Sequence, residues 1–288
     1  MVRTIPRAID GAGSSRFLPW CLAVVLLSCS SAAKADDLLI FGGTGHTGSR
    51  ITKHLVERGF PVSVFVRPTS SRARLEGLAV NFVVGDVTDA RSVEAAFERV
   101  QPDIVIAVLQ SRRGQPSPHG EPEVALVRWA ERVGAKQFIY LSSVGAGPDT
   151  LAQRARYPDI NFDRFAAGLE LKHEAERALL ASSVAYTIIR SGSILVEFGR
   201  EPPPGTGRGY FTEDQDVMGA ITYDDLALLM SRCVGLAACF DKIYHTTDDT
   251  LGPEYNHWRC RRFAKTRDLD AECDHLRPID NPAVPRPR

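Results

Sequence analysis

Residues 38–48, Leu38-Leu39-Ile40-Phe41-Gly42-Gly43-Thr44-Gly45-His46-Thr47-Gly48, decide the fold. The apolar run Leu38 to Phe41 reads as a buried strand. It ends in a loop with glycines at 42, 45 and 48. A helical pattern follows, with Ile51, Leu55 and Val56 on one face. Strand, glycine turn and helix together make a site for a dinucleotide pyrophosphate. Glycine permits the tight turn and close backbone approach, and the helix N-terminus offers unpaired N–H groups and a partial positive charge. The alternative is an ordinary Gly-rich turn. The placement between a strand and a helix, at the start of a βαβ unit, argues against it. On this reading Gly42, Thr44, Gly45, Thr47 and Gly48 are cofactor-binding residues.

Outward from this loop, apolar runs alternate with helical patterns as far as residue 248. The pattern predicts strands at 38–41, 62–66, 80–84, 103–109, 137–142, 186–190 and 243–246. It predicts helices at 48–58, 91–100, 122–133, 162–181 and 223–234. Continuous apolar strands separated by helices imply a parallel sheet covered on both faces. The expected fold class is therefore α/β, a doubly wound parallel sheet of the Rossmann type, spanning residues 36–250. Two loops, Gln110–Pro122 and Gly199–Phe211, are rich in Gly and Pro. They fall at the carboxyl ends of strands, where open α/β sheets bind ligands. From Leu251 the pattern ends, and 251–288 reads as a partly disordered C-terminal extension.

The first 35 residues read as a targeting segment rather than part of the fold. Arg3, Arg7 and Arg16 precede an uncharged stretch from Phe17 to Ala33. Ala33-Lys34-Ala35 offers a small-residue cleavage site. This is the layout of a secretory signal, so the expected address is exported, periplasmic or secreted, after cleavage near Ala35. Three alternatives stay open. One is lipidation at Cys29 within Leu26-Leu27-Ser28-Cys29. Another is an uncleaved anchor that would associate the protein with a membrane. The third is import into an organelle. Export is in tension with nicotinamide chemistry, because extracellular fluids and periplasms hold little reduced cofactor.

The whole chain has 35 basic and 35 acidic residues, so net charge gives no reason to expect nucleic acid as a partner. Removing residues 1–35 leaves 31 basic against 34 acidic residues. Cys233, Cys239, Cys260 and Cys273 would remain, allowing three pairings. A Cys260–Cys273 staple is one reading. Four unpaired thiols, with Cys233 and Cys239 buried around a helix end, is the other. No spacing predicts a metal site.

Cofactor choice is read at the end of the second strand. An acidic residue there holds the ribose 2′-hydroxyl of NAD. The segment Val64-Phe65-Val66-Arg67-Pro68-Thr69-Ser70-Ser71-Arg72 has no carboxylate. Arg67 can pair with a 2′-phosphate, and Ser70, Ser71 or Arg72 can add donors. NADP(H) is therefore expected over NAD(H). The alternative for Arg67 is a solvated strand-end residue.

The Thr44-Gly45-x-Thr47-Gly48 core resembles the loop of atypical short-chain dehydrogenases/reductases, and most closely the NmrA-like NAD(P)H-binding family. That family is similar to biliverdin-IXβ (flavin) reductases. Further landmarks follow in order: Gly85-Asp86-Val87-Thr88-Asp89, Ile139-Tyr140-Leu141-Ser142-Ser143, Lys172-x-x-x-Glu176, Tyr186 to Gly192, and Ile221 to Ala227. The resemblance implies that Asp86 and Val87 lie near the adenine. It also implies that Ser142 and Lys172 lie beside the nicotinamide, both as cofactor-binding and as candidate catalytic residues. The bland alternative for Lys172 is a surface pair with Glu176. Short-chain dehydrogenases use a Tyr-x-x-x-Lys pair to deliver a proton. Here Gly168 stands at the tyrosine position. His46 is expected to point to solvent; Tyr157 is a candidate to enter the site from the loop after strand five, a placement the sequence alone does not fix. The expected activity is hydride transfer from NADPH to a small organic acceptor, a quinone, flavin or conjugated carbonyl, whose final proton can come from water. The alternative is a non-catalytic NADP(H)-binding redox sensor or assembly factor. The oligomeric state is not legible.

Intact mass of the protein from its native host should give a chain starting at Asp36. A lipidated Cys29 terminus would replace that reading, and an intact Met1 in a soluble cytosolic fraction would defeat every export reading.

Overall fold

The computed structural model describes residues 35–112, 114–147, 166–195, 202–215, 217 and 219–251. Ten strands are described: β1 (Leu38–Phe41), β2 (Val62–Val66), β3 (Val80–Val84), β4 (Ile104–Ala107), β5 (Gln137–Ser143), β6 (Ala185–Ser191), β7 (Ser193–Ile194), β8 (Tyr210–Thr212), β9 (Ala220–Ile221) and β10 (Lys242–Thr247). Five α-helices alternate with them: α1 (His46–Glu57), α2 (Ala90–Val100), α3 (Glu121–Arg132), α4 (Ala166–Ala181) and α5 (Tyr223–Arg232). The expected segments 1–34 and 252–288 lie outside the described residues, as do residues 162–165 of the expected fourth helix and 199–201 of the second loop.

Strand order in the main sheet is β3-β2-β1-β4-β5-β6-β10-β8. All neighbours are parallel except β8, which runs antiparallel to β10 with Phe211 opposite Thr246. The order reverses between β1 and β4, which pair with Phe41 opposite Ala107. At such a reversal the connecting helices leave to opposite faces, and a crevice opens beyond the strand ends.

β1 shows why the sheet is buried on both faces. Leu38 and Ile40 point to one side, packing in a cluster with Ile51 and Leu55 of α1 and Leu226 and Met230 of α5. Leu39 and Phe41 point to the other, packing with Phe97 of α2, Leu126 of α3 and Leu179 of α4. All four β1 side chains are fully buried. Each such side chain contributes roughly 1.5–3 kcal/mol relative to exposure. The doubly wound parallel expectation is thus realised, with three short strands added: β8, and β7 and β9, which pair in parallel as a separate two-stranded sheet. The segment read as the end of a loop, Tyr210-Phe211, is part of β8. Three residues are too few to show an alternating pattern, so only their partner strand reveals them.

The thiol reading needs correction. Cys233 and Cys239 are indeed buried at the end of α5, but they are joined by a disulfide rather than unpaired, with Cα atoms 5.5 Å apart. Gln137, at the start of β5, ties this corner together. Its Nε2 donates to the Cys233 carbonyl (3.0 Å) and to Thr187 Oγ1 (3.0 Å), and its Oε1 accepts from Gly235 N–H (2.9 Å). Thr187 in turn donates to the Cys239 carbonyl (2.7 Å). Cys260 and Cys273 lie outside the described residues.

The double substitution Cys233→Ser, Cys239→Ser should lower unfolding free energy by about 2 kcal/mol, the scale for closing so short a loop. Urea unfolding of the oxidised wild type and the variant measures it. A reducing agent should move the wild type toward the variant and leave the variant unchanged.

Candidate functional site

The crevice at the β1–β4 reversal is framed by the glycine loop. Gly42 has φ +84°, and a Cβ there would lie 2.5 Å from the Val108 carbonyl oxygen on the neighbouring strand end. A Cβ on Gly48 would lie 2.2 Å from the Gly42 carbonyl oxygen. Both glycines are therefore required by close backbone approach. Gly45 N–H donates to the Gly42 carbonyl (3.0 Å) and closes the turn. Gly45 is also the N-cap of α1 and supplies no side-chain cap. By contrast, Asp89 caps α2 and Thr222 caps α5. α3, with Gly120 at its N-cap, also lacks a side-chain cap, but the first turn of α1 is the one that lines the crevice, as an anion site requires.

Eight of the ten residues expected to bind cofactor line this crevice: Gly42, Thr44, Gly45, Thr47, Gly48, Arg67, Asp86 and Val87. Ser70 lines it too. Arg72 instead stacks on Phe82, 4.5 Å from the ring centroid. Ser71 is occupied locally, its Oγ accepting from Ala73 N–H (3.4 Å). Arg67 donates to Gln115 Oε1, so the loop after β4 bridges the far end of the crevice. Asp86 Oδ1 accepts from Thr88 N–H (2.9 Å) and Thr88 Oγ1 (2.8 Å), a side-chain turn that shapes the loop after β3.

The other two residues do not line it. Ser142, buried on β5, donates to Glu176 Oε1 (2.5 Å). Glu176 is also held by Arg190 of β6 through two hydrogen bonds, of 3.1 and 2.7 Å. Glu176 is therefore neither on the surface nor the hydrogen-bond partner of Lys172, which removes the bland alternative for that lysine. Lys172 is half-buried and donates to the Leu141 carbonyl (2.9 Å). Its Nζ lies 5.1 Å from the centre of the Tyr140 ring. Burial lowers its affinity for a proton, and the charges of Glu123 and Glu176 partly offset this. Ser142 and Lys172 thus share one polar cluster at the carboxyl end of β5, one strand over from the crevice. Gly168 lies a turn before Lys172, and a Cβ there would meet no atom within 4 Å.

His46 departs from expectation. It is half-buried and lines the crevice, its ring centroid 5.2 Å from that of Tyr223 and its Nε2 3.2 Å from Arg74 Nη2. The cause is α5, whose first residue, Tyr223, packs over the glycine loop. Arg50 of α1 pairs with Asp224 and fixes that approach. Burial raises the Tyr223 phenol above its ordinary value, against the opposing charges of Arg50 and Arg74. Tyr223, Arg112 and Gln115 are lining residues that were not singled out from the sequence. For Arg112 and Gln115 the sequence signal is the Gly- and Pro-rich composition of the loop after β4, and for Tyr223 it is the Ile221 to Ala227 landmark. Tyr157 lies outside the described residues. Among the described residues no group of three His, Cys, Asp or Glu side chains is arranged to hold a metal.

Comparison with known proteins agrees with this architecture. The NAD(P)H-binding family model matches residues 42–235. A probable pinoresinol-lariciresinol reductase 3 of Arabidopsis thaliana is 27% identical over 203 residues, covering 64% of this chain and 61% of that protein. The match thus spans about three fifths of that relative's length. Among solved structures, an anaerobillin reductase from Escherichia coli O157:H7 superposes with a TM-score of 0.63 at 22% identity. That superposition covers 75% of this chain and 99% of the other. A short-chain dehydrogenase/reductase from Veillonella parvula, solved in complex with NADP, superposes with a TM-score of 0.57 at 13% identity, covering 75% and 96%. With a family model matched over more than half its length and the corresponding fold, the chain belongs to the NAD(P)H-binding family, among the atypical, NmrA-like short-chain dehydrogenases/reductases.

Proposed function

We propose that the protein is an NADPH-dependent oxidoreductase that transfers hydride to a small organic acceptor, a quinone, flavin or conjugated carbonyl. One observation carries the reading: the crevice offers anion donors at both ends and no carboxylate at the end of β2. Its near end is the uncapped N-terminus of α1. Its far end holds Arg67 and Ser70. In this reading the pyrophosphate lies on the first turn of α1, and Arg67 exchanges Gln115 for a 2′-phosphate. Bound NADPH supplies the hydride. Asp86 and Val87 border the adenine, and Lys172 orients the nicotinamide half from the end of β5, with the Ser142 hydroxyl held by Glu176 behind it.

The reductase name of the Arabidopsis relative supports an acceptor that is reduced. Gly168 limits its class. With open space where a tyrosine would stand, no phenol delivers a proton from that position. Acceptors whose reduced anion is protonated by water are therefore favoured. The same glycine favours a second reading, a sensor that binds NADP(H) without turnover. We also infer export, supported by the Cys233–Cys239 disulfide, since disulfides persist in oxidising compartments. Among the described residues no helix is long and apolar enough to cross a membrane.

Calorimetry should show tighter binding of NADP than of NAD. Arg67→Ala should cost about 1–3 kcal/mol for NADP and leave NAD nearly unchanged, the scale of a lost charge-assisted contact. Equal wild-type affinities would defeat the role given to Arg67. NADPH oxidation should then appear with at least one member of a quinone, flavin and enone panel. Tight NADPH binding without oxidation by any of them would select the sensor.

Gly48→Ala should abolish binding of both cofactors and destabilise the fold by about 1–3 kcal/mol, the usual cost of forcing volume into a packed site. Denaturant unfolding beside the same calorimetry separates the two effects. Undiminished binding in this variant would show that the turn can relax away from the Gly42 carbonyl.

A further inference from the structure

Beneath the carboxyl end of β5 lies a second polar group that the hydride-transfer reading leaves unused. Glu123, on the first turn of α3, is 1% exposed. Its Oε2 accepts from the Tyr140 hydroxyl (2.6 Å), and its Oε1 lies 3.0 Å from His119 Nδ1. Tyr140 and His119 are themselves buried. A carboxylate in such a place is costly unless charge and hydrogen bonds compensate it.

Among the described residues, the groups linked to Lys172 directly or through Glu123 and Glu176 come from four elements and one loop. α4 contributes His173 and Glu176, β5 contributes Tyr140 and the Leu141 carbonyl, and β6 contributes Arg190. α3 contributes Glu123, and the loop before it His119. Glu176 and Arg190 form a bidentate pair and largely cancel one another. His173 lies 3.8 Å from that same Glu176. Among the described residues no guanidinium pairs with Glu123. That carboxylate meets the Tyr140 hydroxyl on one side of the ring system, while the Lys172 ammonium sits over that ring. A carboxylate drawing on the phenol hydrogen enriches the ring in electron density, and an electron-rich face attracts a cation more strongly. The helix dipole of α3 favours the negative charge on Glu123 at the same time.

We propose that Glu123, acting through Tyr140, is the positioning residue that keeps Lys172 an ammonium ion and holds it at the carboxyl end of β5. Its catalytic consequence, a cation presented to the nicotinamide half, rests on the oxidoreductase reading above. The electrostatic claim does not. Burial alone drives Lys172 toward the neutral amine, and Glu123 is one of the two carboxylates opposing it.

The test is a pH titration of the 13Cε resonance of Lys172 in the lysine-labelled full chain, without cofactor or acceptor. Lys172→Arg assigns the signal. In Glu123→Gln the midpoint should fall by about one pH unit, the scale of a nearby charge in a buried site. In Tyr140→Phe, which keeps the ring and the carboxylate but breaks their link, it should fall by less, about half a unit. The same midpoint in wild type and a folded Glu123→Gln would overturn the proposal. If Glu123→Gln does not fold, Tyr140→Phe decides: an unmoved midpoint removes the route through the ring. With an active acceptor in hand, the alkaline limb of the pH–rate profile should move down with the NMR midpoint in Glu123→Gln. Absence of turnover would bear on the oxidoreductase reading alone, since the titration uses neither cofactor nor acceptor.

Discussion

The backbone contact between Gly42 and Gly48 governs the rest of the molecule. The 2.2 Å separation of a notional Gly48 Cβ from the Gly42 oxygen means that α1 starts directly against the turn that leaves β1. That closeness sets the angle of α1. The angle in turn carries Ile51 and Leu55 onto the sheet face, where they meet Leu226 and Met230 of α5. The same closeness leaves the first-turn N–H groups of α1 facing the crevice rather than a side-chain cap. Packing and anion recognition are therefore two results of one steric condition. A larger residue would disturb both together.

A different economy rules the carboxyl end of β5. There the fold buries two glutamates, an arginine and a histidine, and half-buries a lysine, within one region. Buried ion pairs add little net stability compared with well-packed apolar groups. Arg190 does, however, hold both oxygens of Glu176 and a third acceptor, Gln215 Oε1 at 3.0 Å. Such an arrangement fixes where β6, α4 and the segment after β8 stand with respect to one another. Ser142 is drawn into that arrangement, which explains why a serine placed by resemblance beside the cofactor has its hydroxyl turned toward α4 instead.

The parts of this structure that are legible in the sequence share a physical character. Continuous apolar strands such as Leu38 to Phe41 and amphipathic helices such as α1 carry their burial in their own pattern. The glycine turn is legible because its spacing answers a local steric need. Arg67 and Asp86 are placed because they follow strands directly. Ser142 and Lys172 are located correctly along the chain, but their partners are not. Glu123, Tyr140 and Arg190 come from three separate elements, and no local spacing relates them. His46 was misread for the same reason: its neighbour Tyr223 is distant along the chain and near only in the fold. The Cys233–Cys239 pair had been one of three arithmetical choices until the turn after α5 brought the two together.

Asp225 carries a consequence for the behaviour of the molecule in acid. It lies in the first turn of α5, 4% exposed. It accepts from Thr222 Oγ1 (2.7 Å), Thr206 N–H (2.8 Å), Thr206 Oγ1 (3.0 Å) and Gly207 N–H (2.9 Å). Burial works to raise its proton affinity, but these donors outweigh it, and the group titrates below its ordinary value of 3.8. A carboxyl depressed in this way lends its full stabilisation above the unfolded value and loses it as pH falls through the folded one. One side chain thus fastens the 205–207 loop to the same helix that packs Tyr223 over the glycine turn. Below pH 3.8 that fastening weakens, and acid loosens the rim of the crevice through a carboxylate that itself touches no part of it.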